Sequence, residues 1–193
     1  GYTSRFSLSG RWSRADEGGS TRVEAYAIRS ALNLFSNFTF FLDDPVNGDQ
    51  FRQLDKRTIL GLNAGHTFKG TLGDKPTETR IGLQARYDDI RVGLFNTLQR
   101  TTLSTVRDDR VKETSIGFYI QNTTRWTEWM RSIVGLRGDY FRAVVGSDTP
   151  ANSGKSNDFI ASPKAGLVFG PFARTEIFLN AGMGYHSNDA RGT

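Results

Sequence analysis

The stretch Arg80-Ile81-Gly82-Leu83-Gln84-Ala85-Arg86-Tyr87 alternates residue by residue, with Ile81, Leu83, Ala85 and Tyr87 on one parity and Arg80, Gln84 and Arg86 on the other. Side chains of an extended chain point to opposite faces in turn, so this spacing predicts a strand with one apolar and one polar face. The same period recurs outward from it in both directions. Phe6, Leu8 and Trp12 oppose Arg5, Ser7, Ser9 and Arg11, and Leu60, Leu62 and Ala64 lead to Phe68. Ile116, Phe118 and Ile120 oppose Ser115, Tyr119 and Gln121; Val134, Leu136 and Tyr140 oppose Arg137 and Asp139. Ala165, Leu167 and Phe169 oppose Lys164, and Ile177, Leu179, Ala181 and Met183 oppose Glu176 and Asn180. Residues 21 to 40 are less regular but rich in aromatic and β-branched side chains around Leu34, Phe35 and Phe38. The pattern predicts an all-β chain of about eight strands in an antiparallel up-and-down meander, without a helix.

Composition narrows what such a sheet does. With no Cys in 193 residues, zinc ribbons, iron–sulfur clusters, haem attachment and thiol catalysis drop out. Its two histidines, His66 and His186, lie far apart, so neither a metal site nor a cofactor is read from the sequence. Net charge is +5, yet Lys and Arg are spread singly among acidic residues, which argues against a nucleic-acid partner. The longest apolar run, Ala165 to Ala173, is half the ~18 residues of a spanning helix. A barrel strand needs only about ten residues with apolar side chains on alternate positions, so a mean hydropathy of -0.46 is compatible with a membrane wall. The opening residues Gly1-Tyr2-Thr3-Ser4-Arg5-Phe6 read as the middle of a strand, which predicts a fragment.

Connections sharpen the expectation. Short turns are predicted at Asp16-Glu17-Gly18-Gly19, Gly70 to Lys75, Trp126 to Trp129 and Gly170-Pro171-Phe172; longer ones at 43 to 56, around 101 to 110 and at 147 to 158. One rim of tight turns and one of long loops is the asymmetry of an outer-membrane barrel. Trp12, Phe68, Trp126, Trp129, Phe169 and Phe172 lie near short turns, and Phe35, Phe38, Tyr140, Phe141 and Tyr185 toward the other rim, which predicts two aromatic belts. The ten steps from Met130 to Tyr140, at ~3.3 Å each and a tilt near ~40°, rise about 25 Å, the height of a barrel's apolar band. Across Asp88-Asp89 the apolar parity flips to Ile90, Val92 and Leu94, which predicts a bulge or an exit from that band. The competing reading is a soluble antiparallel β-sandwich serving as a carbohydrate-binding or adhesion module. Segments 76 to 100 and 130 to 145 exceed the ~5–6 residues usual in soluble strands and favour the barrel.

Four stretches, in order along the chain, resemble the TonB-dependent outer-membrane receptors. They are Leu34 through Gln50 (Leu-Phe-Ser-Asn-Phe-Thr-Phe-Phe-Leu-Asp-Asp-Pro-Val-Asn-Gly-Asp-Gln), Gly135-Leu136-Arg137-Gly138-Asp139-Tyr140-Phe141, Ser162 through Phe169, and Asn180-Ala181-Gly182 continuing from Gly184 to Gly192. The resemblance implies a 22-stranded transmembrane β-barrel in the bacterial outer membrane, closed around an N-terminal plug. It implies import of a scarce small-molecule ligand, such as a ferric siderophore, cobalamin or a similar nutrient, energised by the TonB complex. Residues 1–193 would supply about eight of the strands, with outer-membrane lipid on one face and the plug, missing from this chain, on the other.

Candidate site residues follow from faces and loops. Asn180, Gly182, Gly184 and His186, with Arg137 and Asp139, are expected on the lumen side toward the plug, where glycines admit close backbone approach. Arg80, Gln84, Arg86, Gln121, Lys164 and Glu176 share that polar wall. Asp43, Asp44, Asn47 and Asp49 are expected on an extracellular loop; their spacing fails the calcium-loop pattern, and Asp-Pro and Asn-Gly are turn formers. His186-Ser187-Asn188-Asp189 holds triad residue types, but strand neighbours diverge and no nucleophile elbow accompanies them, so no catalytic residue is assigned and the chain is not read as an enzyme.

Overall fold

Each alternating segment becomes a strand. A computed structural model describes residues 1–185, and among these the strands are β1 (Tyr2–Asp16), β2 (Gly19–Ser36), β3 (Phe51–Leu72), β4 (Lys75–Leu98), β5 (Thr101–Thr127), β6 (Met130–Ser147), β7 (Gly154–Phe172) and β8 (Thr175–Gly182). Every strand pairs antiparallel with its neighbours in sequence, giving one eight-stranded meander in the order β1 to β8. A single 3-10 turn, Pro150–Asn152, interrupts the β6–β7 connection. β4 and β5 run for 24 and 27 residues, several times the ~5–6 of soluble domains.

The register fixes the faces. One row of hydrogen-bonded neighbours reads Arg11, Glu24, Asn63, Gln84, Gly117, Asp139 and Ile160 from β1 to β7; the next, on the opposite face, reads Trp12, Val23, Ala64, Leu83, Phe118, Gly138 and Ala161. Among the described residues nothing packs on the apolar face: Leu8 is 77% exposed and Leu136 52%. A sandwich buries such a face against a second sheet. Among the described residues there is one sheet only, which removes the sandwich reading.

Crossing the rows reveals the tilt. Trp12 stands in the row that reaches Ala161 on β7, whereas Phe169, in the same aromatic belt, lies eight residues closer to the tight-turn rim. Eight residues at ~3.3 Å set against six strand spacings of ~4.8 Å give a tilt of roughly 40°, inside the ~35–45° of membrane barrels. Trp129 stacks on Phe169 at 6.2 Å in that belt. Two residues expected in the upper belt do not belong to it. Phe141 and Tyr185 sit on the polar face, edge-on at 5.4 Å, while Tyr87, Tyr140 and Phe159 occupy the outer face.

The parity flip at Asp88-Asp89 is not a bulge. The β3–β4 and β4–β5 registers run straight through it, and the irregularities in the latter fall later, at Leu94/Phe95 and Asn96/Thr97. Past Asp88 the polar face turns apolar, with Ile90 opposite Val111 and both buried, and the apolar face turns charged, with Asp89, Arg91, Arg110 and Lys112. Because the register does not move, the reversal is a change in what each face carries further along the strands and not a slip of either strand.

Connections follow the expected asymmetry with corrected positions. One rim holds two-residue turns at Glu17-Gly18, Gly73-Asp74, Glu128-Trp129 and Ala173-Arg174. The last lies beyond Gly170-Pro171, which is inside β7. The other rim holds 37–50 and 148–153, but between them β4 and β5 join through Gln99-Arg100 alone. Residues 101 to 110, expected as a loop, are strand. Both tight pairs carry positive φ at each residue, 48° and 69° for Gln99 and Arg100 and 47° and 69° for Ala173 and Arg174, the geometry that closes two-residue hairpins.

Candidate functional site

On the polar face the strands carry Arg and Asp two residues apart, which alternation places side by side. Arg137 grips Asp139 with both prongs, Nε to Oδ2 at 2.7 Å and Nη2 to Oδ1 at 2.6 Å. Arg86 holds Asp88 in the same way at 2.7 and 2.8 Å. Arg107 pairs with Asp109, and Arg57 donates to Asp55 at 3.0 Å. Asp88, Asp109 and Asp139 are buried while their arginines stay part-exposed, so each carboxylate is paired from its own strand and each guanidinium remains partly open to solvent.

Glycines give these side chains room. Gly117 stands opposite Asp139, and a Cβ there would lie 2.3 Å from Arg137 Nη2; without one, the guanidinium spans β5 and donates from Nη1 to Gln84 Oε1 on β4 at 2.7 Å. Tyr26 lies over Gly61 and Tyr119 over Gly82 for the same reason, since a Cβ would fall 2.0 and 2.4 Å from the rings. Tyr26, Gln84, Arg86, Arg137, Asp139 and Tyr185 converge on one hollow of about 200 Å³. Arg131 reaches from β6 over buried Val168 to Glu176 on β8 at 2.7 and 3.0 Å. The face is thus a charge-balanced wall rich in N–H donors, suited to hydrogen-bonding a folded partner or a passing polar solute.

Of the lumen candidates, Arg137 and Asp139 form the centre of this cluster. Asn180 and Gly182 lie on the same face, opposite Gly166 and Lys164, with Asn180 over Gly166. Gly184 follows β8 with open space about it. His186, and with it His186-Ser187-Asn188-Asp189, lies outside the described residues. His66 is on the other face, its Nδ1 2.7 Å from Thr21 Oγ1. Asp88, Asp109 and Tyr26 are contributors that the sequence reading did not single out; the Arg-x-Asp spacing at 86–88, 107–109 and 137–139 is the signal that marks two of them.

The loop candidates come together in 37–50. Asp49 accepts from the backbone N–H of Leu42 at 2.9 Å, Asp43 at 3.2 Å and Asp44 at 2.7 Å. Asp44 accepts from the N–H of Val46 at 3.0 Å, the N–H of Asn47 at 2.9 Å and the Asn47 side-chain amide at 3.0 Å. Both carboxyls are held below the ordinary carboxylate range, Asp44 chiefly by the Asn47 backbone N–H and Asp49 chiefly by the Thr39 hydroxyl. Carboxylates ringed by N–H donors are loop staples.

A family model described as "TonB dependent receptor-like, beta-barrel" matches residues 1–192. The chain belongs to the TonB-dependent receptor barrels. Members of this family are outer-membrane β-barrels that act as transporters and receptors. Three solved structures share the barrel fold. The unliganded ferric citrate transporter FecA superposes with a TM-score of 0.73 at 9% identity over 93% of this chain and 27% of its own. The copper transporter OprC gives 0.70 at 18% identity, over 92% of this chain and 29% of its own. The ferric-catecholate import receptor Fiu of E. coli K12, open form, gives 0.68 at 11% identity, over 93% and 35%. The TonB-dependent receptor segment therefore spans about a third or less of the length of these neighbours. No curated protein matches it.

Proposed function

We propose that this chain is part of the wall of an outer-membrane receptor that imports a scarce small-molecule ligand, a ferric siderophore, cobalamin or a similar nutrient, through a 22-stranded barrel closed around a plug and energised by the TonB complex. The observation that carries the reading is a single tilted sheet, apolar on one face and charge-balanced on the other, in a chain whose family consists of such barrels. Lipid covers the apolar face; the Arg137–Asp139–Gln84 cluster, with Asn180, Gly182 and Gly184, lines the lumen and docks the plug. The tight-turn rim faces the periplasm, and loop 37–50, with Asp43, Asp44, Asn47 and Asp49, faces outward. Three neighbours that carry iron complexes or copper agree with metal-complex import without choosing the ligand.

The test uses the whole receptor expressed in cells lacking other receptors of its kind. Accumulation of one ligand from a panel of radiolabelled ferric siderophores and cobalamin, abolished when the TonB complex is deleted or the proton gradient collapsed, is the expected result. Accumulation that persists without TonB would contradict energy-coupled import.

A further inference from the structure

Two segments of the long-loop rim that lie far apart in sequence are held by one residue. Gln50, the last residue of loop 37–50, accepts from two points of the β4–β5 tip. Its carbonyl takes the Thr97 N–H at 2.8 Å, and its side-chain Oε1 takes the Thr97 hydroxyl at 3.1 Å and the Arg100 N–H at 2.9 Å. Thr97 is fully buried there. The tip needs such a hold. Its own ladder is irregular at Leu94/Phe95 and again at Asn96/Thr97, and its turn is made by Gln99 and Arg100 at positive φ, a backbone that residues with a Cβ keep only where their surroundings impose it.

The loop is closed from the neighbouring position. The Asp49 carboxylate accepts from the N–H groups of Leu42, Asp43 and Asp44, and the Asp49 N–H donates to the Phe40 carbonyl at 2.7 Å. Phe40 is itself at φ 60°, kept there by that bond and by Asn37 Oδ1, which accepts the Phe40 N–H at 2.8 Å. Opening the loop at Asp49 displaces the backbone on which Gln50 sits, and releasing Gln50 frees the strand end that Asp49 closes. We propose that loop 37–50 and the β4–β5 tip, residues 95–105, form one cooperative unit joined through the consecutive residues Asp49 and Gln50, so that whatever opens or orders one does the same to the other. Coupling of this kind is reciprocal. It gives the rim a two-state element that carries a contact at the exposed Phe40, Phe41 and Leu42 across the head of β3 to Arg100. The inference rests on hydrogen bonds within this chain and not on the import reading.

The test is hydrogen exchange of the whole receptor in lipid vesicles at increasing urea, followed at the amides of Asp43, Asp44, Thr97 and Arg100. In the unmodified receptor these amides are expected to open with one free energy and one urea dependence, the signature of a single cooperative unit. Asp49→Ala is expected to speed exchange at Thr97 and Arg100 about tenfold, and Gln50→Ala to speed it at Asp43 and Asp44 by a similar factor. The Asn152 and Ser153 amides of the other long connection, bonded at 2.9 and 3.0 Å, should stay within about twofold. Distinct free energies or urea slopes for loop and tip in the unmodified receptor would overturn the proposal without any variant having to fold. So would a Gln50→Ala receptor that speeds Arg100, which loses its acceptor directly, and leaves Asp43 and Asp44 at the unmodified rate. An equal rise at Asn152 and Ser153 would also count against it, as loosening of the barrel at large.

Discussion

The Arg137 guanidinium crosses β5 above Gly117 and donates to Gln84 two strands away at 2.7 Å, while its other prongs hold Asp139. β4 and β6 are thereby tied on the polar face across β5, through a position that has no side chain. Gly117→Val would drive a branched side chain into both members of the pair, whose atoms lie 2.3 and 2.5 Å from where its Cβ must sit. The expected cost is about 2 kcal/mol, measured as a lowered urea midpoint of the vesicle-inserted parent receptor. Gly146→Ala, whose nearest neighbour is 3.9 Å away, is the matched control and should be near neutral.

Buried carboxylates make a second prediction. Asp88 is 4% exposed and depends on Arg86 on its own strand. Arg86→Met strands that charge and should destabilise the barrel by about 2 kcal/mol, less than for a fully buried pair because Arg86 is itself half exposed. Adding Asp88→Leu should restore most of the loss in the same titration. A double variant as unstable as the single one would show that the pair does more than neutralise itself.

Loop 37–50 carries a pH dependence whose sign follows from its staples. Asp44 and Asp49 are held below the ordinary carboxylate range in the folded loop, so their contribution is complete above that range and disappears as pH falls through the depressed values. Hydrogen-exchange protection of the Asp44 and Asn47 amides should stay level from neutral pH to about 4 and collapse below it. Asp49→Ala should remove the protection of Asp43 and Asp44 at every pH. Loss of protection near pH 6 would contradict the assignment.

Much of this fold was legible because strands write their faces into alternate residues: Leu83 and Gln84 declare opposite sides without any partner in view. Strand count and the identity of the apolar face came with that. Turn positions were less legible, since Gln99-Arg100 and Ala173-Arg174 adopt the left-handed hairpin geometry without the Asn or Gly that announces it. The flip at Asp88-Asp89 was visible, but a bulge and a change in what each face carries produce the same string, and only the unbroken register separates them. Lys56, Arg91 and Arg110 look like scattered single charges along the chain. They become neighbours only when three strands are aligned, which is why the sequence showed no basic cluster.

The central claim is that the apolar face meets lipid and the polar face does not. Leu83 and Gln84 are consecutive residues of β4 on opposite faces at the same depth, so one substitution at each isolates the face. In the parent receptor refolded into lipid vesicles, Leu83→Arg should lower unfolding stability by about 2–4 kcal/mol, and Gln84→Arg by far less. Equal tolerance at both positions would contradict the account.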